Sequence, residues 1–554
     1  MIKRNLLVSL SLVPLLSAVS AAQQQPLHSE WFNPDEYEFK WPINKIAIIG
    51  AGVSGLIAYR EFAGAGFEQV RVFERDDVPG GNWHYTEQTP LDAPIPNVDP
   101  SVGDFVPSLP PPGASLPFQE HYSLSDWETR WREHSGPKPV WESLESNAPA
   151  PIQQITQIPW PPGTPWHLPH RTVARYLRAF ASFHGVNSND ASPDIAYNTR
   201  VELVGKRYDE AGREHGWTLT LKRLERTGPT SSKATWWTED FDAIVVASGR
   251  YNAPNIPRIS GLEEWAKKFP ETIIHSRQYR RPQPFHNETV LVVGGATSGV
   301  EITREINPYT RKVYQSVRPP NPKLPFEAGL LQLKRLPANV SVIPEIRRFH
   351  ASNSSIELVN GTFVHGVSRV IFATGFHYSF PFLPQFHNSS ASSSHPIVTD
   401  GTHLRSLHDD FLYIEEPTIG FLSMNWGMQS FTYSEYLSLA LAKVWSRRAI
   451  LPGTANLWRK YERRVQDRGG YGRHLQFLGN ERTSANIRFF VGWLNDAAVK
   501  FGGRQIDGPS KDLIEITTVW TQARYVETVP QPNSSALGGE YSVASLDWIH
   551  GEDW

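Results

Sequence analysis

The chain has 554 residues, enough to bury a large core and to divide into two or more domains. Its formal net charge is −2, so no basic excess marks a nucleic-acid surface and no acidic tail marks a charged partner. It has no cysteine, which excludes a disulfide framework, a thiolate metal site, a cysteine nucleophile and a redox-active dithiol.

The first residues read as a targeting segment. Lys3 and Arg4 form a basic start, Leu6–Leu16 is apolar, and Val19-Ser20-Ala21 or Ser20-Ala21-Ala22 offers small residues for cleavage. This predicts a secretory signal peptide over residues 1–21 or 1–22, too short to span a bilayer comfortably as a mature helix. No later stretch has a continuous apolar run of spanning length, so no transmembrane segment is expected in the mature chain. Six N-x-S/T sequons, at Asn287, Asn339, Asn353, Asn360, Asn388 and Asn533, support a secreted glycoprotein.

After an extended lead-in over Gln23–Pro42, the segment Lys45–Glu74 carries the strongest signal. Ile46–Ile49 is an apolar run of strand length. Gly50-Ala51-Gly52-Val53-Ser54-Gly55 follows, then a helical pattern, then a second strand at Val70–Phe73 that ends on Glu74. That is the G-x-G-x-x-G dinucleotide fingerprint in its strand, turn, helix and strand setting. Gly50 makes the turn, Gly52 lets a pyrophosphate approach the backbone, and Gly55 lets helix and strand pack closely. The helix N-terminus supplies amide donors and partial positive charge. Glu74 is placed to accept ribose hydroxyls.

Gly80-Gly81-Asn82-Trp83 then reads as a loop that approaches a ligand closely, and residues 86–118 read as a long surface excursion. The stretch Val140–Pro149 precedes an amphipathic helix at His170–Ser182. Strands begin at Asn198–Val201 and continue through Trp217–Arg223 to a buried strand at Asp242–Ala247, closed by Ser248-Gly249. A second nucleotide unit follows. Val290–Val293 is its strand, Gly294-Gly295-Ala296-Thr297-Ser298-Gly299 its turn, and the next strand, Lys312–Val317, ends at Arg318 rather than an acid. An Arg there suits the 2′-phosphate of NADPH. Val367–Ala373, Phe411–Ile414 and Ile419–Ser423 are further strands, Phe431–Trp445 is a helix, and the tail through Arg488–Lys500 is mostly helical. Two nucleotide units in one chain point to FAD paired with NAD(P)H, and so to hydride and electron transfer through a flavin. The fold class is α/β, with two Rossmann-like dinucleotide-binding domains, the NADPH domain inserted into the FAD domain. The expected limits are 1–22 for the signal, 40–258 and 373–554 for the FAD-binding domain, and 259–372 for the NADPH-binding domain.

These motifs together resemble the flavin-containing monooxygenases over most of residues 43–500. Gly50–Gly55 with Glu74 is similar to the family's FAD fingerprint, Gly80–Trp83 to its GG-x-W loop, and Gly294–Gly299 to its NADPH fingerprint. Ala247–Pro257 is similar to its ATG-x-x-x-x-P-x-x-P linker, and Ala373-Thr374-Gly375-Phe376 to its ATG-Y/F motif. The identifying motif F-x-G-x-x-x-H-x-x-x-Y/F reads Phe269 to Tyr279, with His275 in place and Glu271 where glycine is expected. Tyr279 followed by Arg280 favours this family over Baeyer–Villiger monooxygenases. The resemblance implies cofactor contacts at Gly50, Gly52, Ser54, Gly55, Glu74, Gly81, Asn82, Trp83, Val201, Ser248, Gly249, Gly294, Ala296, Thr297, Ser298, Gly299, Arg318, Thr374 and Gly375. It also implies an active-site amide at Asn147, beside the flavin and the nicotinamide cofactor.

What the resemblance implies chemically is an FAD-dependent, NADPH-consuming monooxygenase. It would use O2 to oxygenate a nitrogen or sulfur of a small-molecule substrate through a C4a-hydroperoxyflavin, in natural-product tailoring or detoxification. A secreted flavoprotein oxidase with little NADPH use and a Baeyer–Villiger-type enzyme are the competing readings. His275 reads as structural or cofactor-touching. His167 and His170 lack the acid or Cys company of a metal site, and no metal is expected. Arg277, Arg280 and Arg281 read as a solvated face or as a reach to the 2′-phosphate.

Overall fold

The structure is a computed structural model that describes residues 35–103, 105–319, 333–388 and 394–525. The signal segment and Asn533 lie outside the described residues. Strand β1 (Lys45–Ile49), helix α1 (Val53–Ala65) and strand β2 (Gln69–Phe73) form the first unit. β1 and β2 are parallel, with Ile46 opposite Val70 and Ile49 opposite Phe73. Strand β3 (Ala243–Val246) lies parallel on the other side of β1. The sheet has seven strands, extended past β2 by Ile195–Ala196 and past β3 by Ile419–Phe421, Leu412–Tyr413 and Leu407–His408.

β1 is apolar throughout its centre because both faces are covered. Successive side chains alternate between two cores. Ile46 and Ile48 enter a cluster with Leu56, Phe62 and Leu437, while Ala47 and Ile49 pack with Trp217, Leu219 and Leu221. The latter belong to a four-stranded antiparallel sheet of Phe118–Ser123, Ser231–Phe241, Glu214–Arg226 and Thr199–Tyr208.

The second unit is strand β4 (Thr289–Val293), helix α2 (Thr297–Ile306), strand β5 (Lys312–Ser316) and strand β6 (Arg369–Phe372). Its five-stranded sheet runs Ile273–His275, β6, β4, β5, Ser341–Ile343, and every pairing is parallel. All its strands fall in sequence between β3 and Leu407–His408, so the second unit is inserted into the first. The two connections meet as a ribbon in which Phe376 pairs with Pro254 and His377 with Ala253.

The chain returns to the first unit as helix α3 (Ser430–Trp445), which lies on α1 with Trp445 stacked on Phe62 at 5.5 Å. Leu437 and Leu441 of α3 are fully buried, and truncating either to Ala would cost about 2–5 kcal/mol. Helices Thr454–Asp467 and Gly479–Phe501 follow, the latter burying Phe490 and Leu494 in the same core. The last described element is helix α4 (Lys511–Tyr525). No helix among the described residues is long and apolar enough to cross a membrane.

Residues 86–103 run largely over the surface, as expected, but are anchored at several points. Asn97 is buried and exchanges both backbone hydrogen bonds with Ile256. Ala93 and Ile95 pack on the core of the second unit. Guanidinium groups do the rest, as described below.

Candidate active site

The first glycine turn has the geometry its sequence implies. Gly50 adopts φ +108°, and a Cβ there would come within 2.7 Å of the Ala247 carbonyl oxygen. A Cβ on Gly55 would collide with the Gly50 carbonyl. Gly81 faces Gly52, where an added Cβ would lie 3.0 Å from the Gly52 Cα. Bare backbone thus fronts the N-terminus of α1, as a pyrophosphate seat requires. Glu74 is buried, and its Oε2 accepts from Ala51 N at 2.6 Å and its Oε1 from Asp76 N at 2.9 Å. The carboxylate braces the turn, and each oxygen keeps a lone pair for a ribose hydroxyl. Ser54 closes a ring of hydroxyls with Ser423 at 2.6 Å and Ser434 at 3.0 Å, which ties α1 to α3.

The second turn repeats the first. Gly294 has φ +125°, and a Cβ there would strike the Ala373 carbonyl; one on Gly299 would strike the Gly294 carbonyl. Ala296 caps α2 at φ −90°, ψ −174°, much as Gly52 caps α1 at φ −72°, ψ −177°. That extended backbone accepts any side chain, so the Ala in the middle of the fingerprint leaves the turn intact. Ala247-Ser248-Gly249 and Ala373-Thr374-Gly375 are equivalent supports, with Gly249 at φ +75° and Gly375 at φ +80°. Thr374 Oγ1 donates to Asn255 O, and Asn255 N donates to Gly375 O at 2.9 Å.

Asn147 sits on a strap. Ser146 N donates to Leu168 O at 2.7 Å, Leu168 N to Ser146 Oγ at 2.9 Å, and Ala150 N to Trp166 O at 2.8 Å. His167 Nδ1 lies 2.9 Å from Ser146 O, and His170 Nε2 lies 3.2 Å from Glu142 O. The two histidines brace this strap. The Asn147 amide itself caps nothing and makes no hydrogen bond among the described residues. Glu305 of α2 joins the strap to the second unit. It accepts from Trp141 Nε1 at 3.1 Å, from Ser143 Oγ, and from Tyr279 OH at 2.7 Å.

The Phe269–Tyr279 motif is therefore structural. Phe269 packs on Trp265 with ring centroids 4.9 Å apart. His275 is fully buried; its Nε2 lies 3.0 Å from Gly375 O and its Nδ1 accepts from Arg277 N at 3.2 Å. Burial, with Arg277 next, pushes its pKa down to about 3, so the ring is neutral. The motif's His and Tyr hold the second nucleotide turn and the Asn147 strap in register.

Of the arginines after His275, Arg277 and Arg280 turn inward, Arg281 stays at the solvated face with its side chain 41% exposed, and none of the three lines the cavity described below. Arg277 and Arg280 are buried, donating to Leu91 O and Asn252 O and to Thr86 O and Gln88 O respectively. Arg281 pairs with Glu87. The two buried guanidinium groups satisfy loop carbonyls that have no ladder partner, which is what pins residues 86–91.

The pieces enclose one cavity of about 1300 Å³. That exceeds the roughly 300–1,000 Å³ of a pocket for one drug-sized ligand. Every cofactor residue expected from the sequence lines it, and so does Asn147, except Gly55 and Gly299, which pack helix on strand behind it. Val201 is buried in its wall, and Arg318 is exposed at the carboxyl end of β5. The open glycine backbones at both helix N-termini fit two dinucleotides. The sequence pattern missed Asn425, Gln429 and Ser430 at the entry to α3, and Arg250, Arg473 and Trp520. No spacing signal marks these; only the polar, Gly-containing joint between a strand and a helix hinted at the first three. Asn425 is 1% exposed, with Nδ2 donating to Asp410 Oδ2 at 2.7 Å, so its Oδ1 is an acceptor and has no partner among the described residues. The sequon residues Asn287, Asn339, Asn353, Asn360 and Asn388 are all exposed.

Family models match in three places. "Flavin-binding monooxygenase-like" covers residues 125–321, "Pyridine nucleotide-disulphide oxidoreductase" 238–410 and "NAD(P)-binding Rossmann-like domain" 48–98. Flavin-containing monooxygenase iboF of Amanita muscaria is 53% identical over 527 residues, covering 90% of this chain and 98% of that one. Flavin-containing monooxygenase ustF2 of Aspergillus flavus is 28% identical over 491 residues, covering 81% and 92%. The solved structure of S-allyl-L-cysteine S-oxygenase from Allium sativum superposes with TM-score 0.60 at 22% identity, covering 91% of this chain and 96% of that one. It shares the fold. The two relatives named above are fungal, and the chain belongs to the flavin-containing monooxygenases, oxidoreductases whose cofactors are FAD and NADPH.

Proposed function

We propose that this enzyme consumes NADPH and O2 to oxygenate a soft nucleophile, nitrogen or sulfur, on a small molecule, as in the tailoring of a natural product or in detoxification. The observation that carries the reading is the placement of Asn147. Its amide is uncommitted and lines the same cavity as both glycine turns. The first turn and Glu74 would seat FAD. The second turn and Arg318 would seat NADPH, with Arg318 on the 2′-phosphate. When bound, the flavin supplies hydride acceptance and the activation of oxygen. The chain's part is to hold both cofactors, to keep water out and to offer the Asn147 amide as a hydrogen-bond donor. A neutral, deeply buried His275 takes no part in proton transfer. A sulfur acceptor matches the S-oxygenase named above.

Anaerobic addition of NADPH to the purified, flavin-loaded protein should bleach the flavin, and oxygen should restore it. A flavin that stays oxidised under anaerobic NADPH would overturn the reading in favour of an oxidase. The same chain is proposed to travel the secretory route. Supporting this are the basic-then-apolar start, the small cleavage residues, and the exposure of all five sequon asparagines among the described residues. A mobility shift on glycosidase treatment is the expected result, and an unchanged band would reject it.

A further inference from the structure

Several arginines near this cavity have their charge or their donors answered by the protein. Arg464 pairs with Asp410 at 2.7 Å and Arg335 with Glu301 at 2.5 Å. Arg277 and Arg280 donate to carbonyls, as does Arg468 to Phe477 O at 2.7 Å. Arg473 is different. It lies on the segment between helices Thr454–Asp467 and Gly479–Phe501, held by Trp426 Nε1 on its own carbonyl at 3.2 Å. Its guanidinium lines the cavity against Gly375, where an added Cβ would lie 3.1 Å from Nη1. Among the described residues it forms no hydrogen bond or ion pair.

Its surroundings supply cations rather than a paired carboxylate. Burial, then the charge of Arg318, lowers its pKa, and Arg250 acts in the same sense. Tyr378 and Asp400 oppose this, but both are engaged elsewhere. Tyr378 OH donates to Met424 O at 2.5 Å, and Asp400 Oδ1 accepts from Thr402 N at 3.0 Å and Thr402 Oγ1 at 2.8 Å. Arg250 meets only the neutral Tyr251 hydroxyl and ring among the described residues. Three guanidinium groups thus line one cavity with no carboxylate paired to any of them among the described residues. A half-buried, uncompensated guanidinium is costly, and its planar fork matches a two-oxygen anion.

We propose that Arg473 is the anion anchor of the cavity, holding a carboxylate or phosphate oxygen of the ligand that lies between the two nucleotide turns. The pyrophosphates have their helix N-termini and the 2′-phosphate has Arg318, so Arg473 is left for a further oxyanion. Where that anion is a carboxylate, the substrate is an organic acid, and this part of the inference rests on the oxygenase reading above.

The test uses the flavin-loaded full chain, titrated with sodium acetate, inorganic phosphate and NADP⁺ and followed by calorimetry and flavin absorbance. Wild type is compared with Arg473→Ala, Arg473→Lys and Arg318→Ala. We expect acetate binding to weaken about tenfold to a hundredfold in Arg473→Ala, the range for a charge-assisted contact. Arg473→Lys should retain part of it, and Arg318→Ala should leave acetate unaffected. Loss of NADP⁺ binding in Arg473→Ala with acetate unchanged would make Arg473 a cofactor-phosphate contact and overturn the assignment to a further oxyanion. Unchanged affinity for all three probes, or a wild type that binds neither acetate nor phosphate, would overturn it. Flavin content reports folding. Anaerobic flavin reduction by NADPH in the wild type is scored separately, so failure of the oxygenase reading is distinguishable from failure of the anchor.

Discussion

Glu271 offers a test of how the family's motif is built. It stands where the motif has glycine, and it takes φ +62°, the left-handed backbone that glycine adopts freely. Its side chain is exposed, while its carbonyl accepts from Arg369 Nη1 at 2.8 Å. The turn joins helix Leu262–Lys268 to strand Ile273–His275, so the backbone is held whatever residue occupies it. A non-glycine residue in this region costs about 1–2 kcal/mol. Glycine removes that strain but raises the entropy of the unfolded chain, worth about 0.4–1 kcal/mol. The difference predicts that Glu271→Gly stabilises the protein by about 0.5–1 kcal/mol. Urea unfolding of wild type, Glu271→Gly and Glu271→Ala measures it, with the midpoint rising at unchanged slope only for glycine. Alanine keeps the Cβ and should fall with wild type. If the glycine and alanine variants have equal midpoints, the strain is absent and the reasoning fails. Affinity for NADPH should not move, because Glu271 is not among the residues lining the cavity.

Arg318→Ala should weaken NADPH more than NADH by about 1–3 kcal/mol, read as a ratio of dissociation constants; equal losses would refute a phosphate contact. Asn147→Ser should raise hydrogen peroxide release relative to oxygenated product, and unchanged coupling would remove Asn147 from its assigned role. Acid should destabilise the fold well above the carboxylate range. Burial pushes His275 and His408 down to about 3, against an ordinary value near 6.5, so the unfolded chain binds protons that the folded chain refuses. Their contribution is intact above about pH 6.5 and is lost as pH falls, by up to about 1.4 kcal/mol per pH unit for each. A urea midpoint that stays level or rises between pH 7 and pH 5 would contradict this.

The two nucleotide units were legible because each is local. A strand, a glycine turn and a helix are adjacent in sequence, and the steric demands on Gly50, Gly55, Gly294 and Gly299 are met by backbone within that unit or on the strand beside it. The insertion of one unit in the other follows from their order in the chain. The burial of Arg277 and Arg280 was not legible, because their partners include carbonyls far along the chain, such as Thr86 at a separation of 194. The motif residue Tyr279 could be recognised but not explained. Its partner Glu305 and the strap carrying Trp141 and Ser143 come together only when the second unit docks. Chain order and local sterics, then, determined which turns take the glycine-fingerprint geometry and that there are two. Only the tertiary structure decided that both open into one cavity, that an uncommitted Asn147 lines it together with Asn425, and that an unanswered Arg473 lines it too. Asn147 lies hundreds of residues before Asn425 and Arg473, and nothing but packing brings them to one wall.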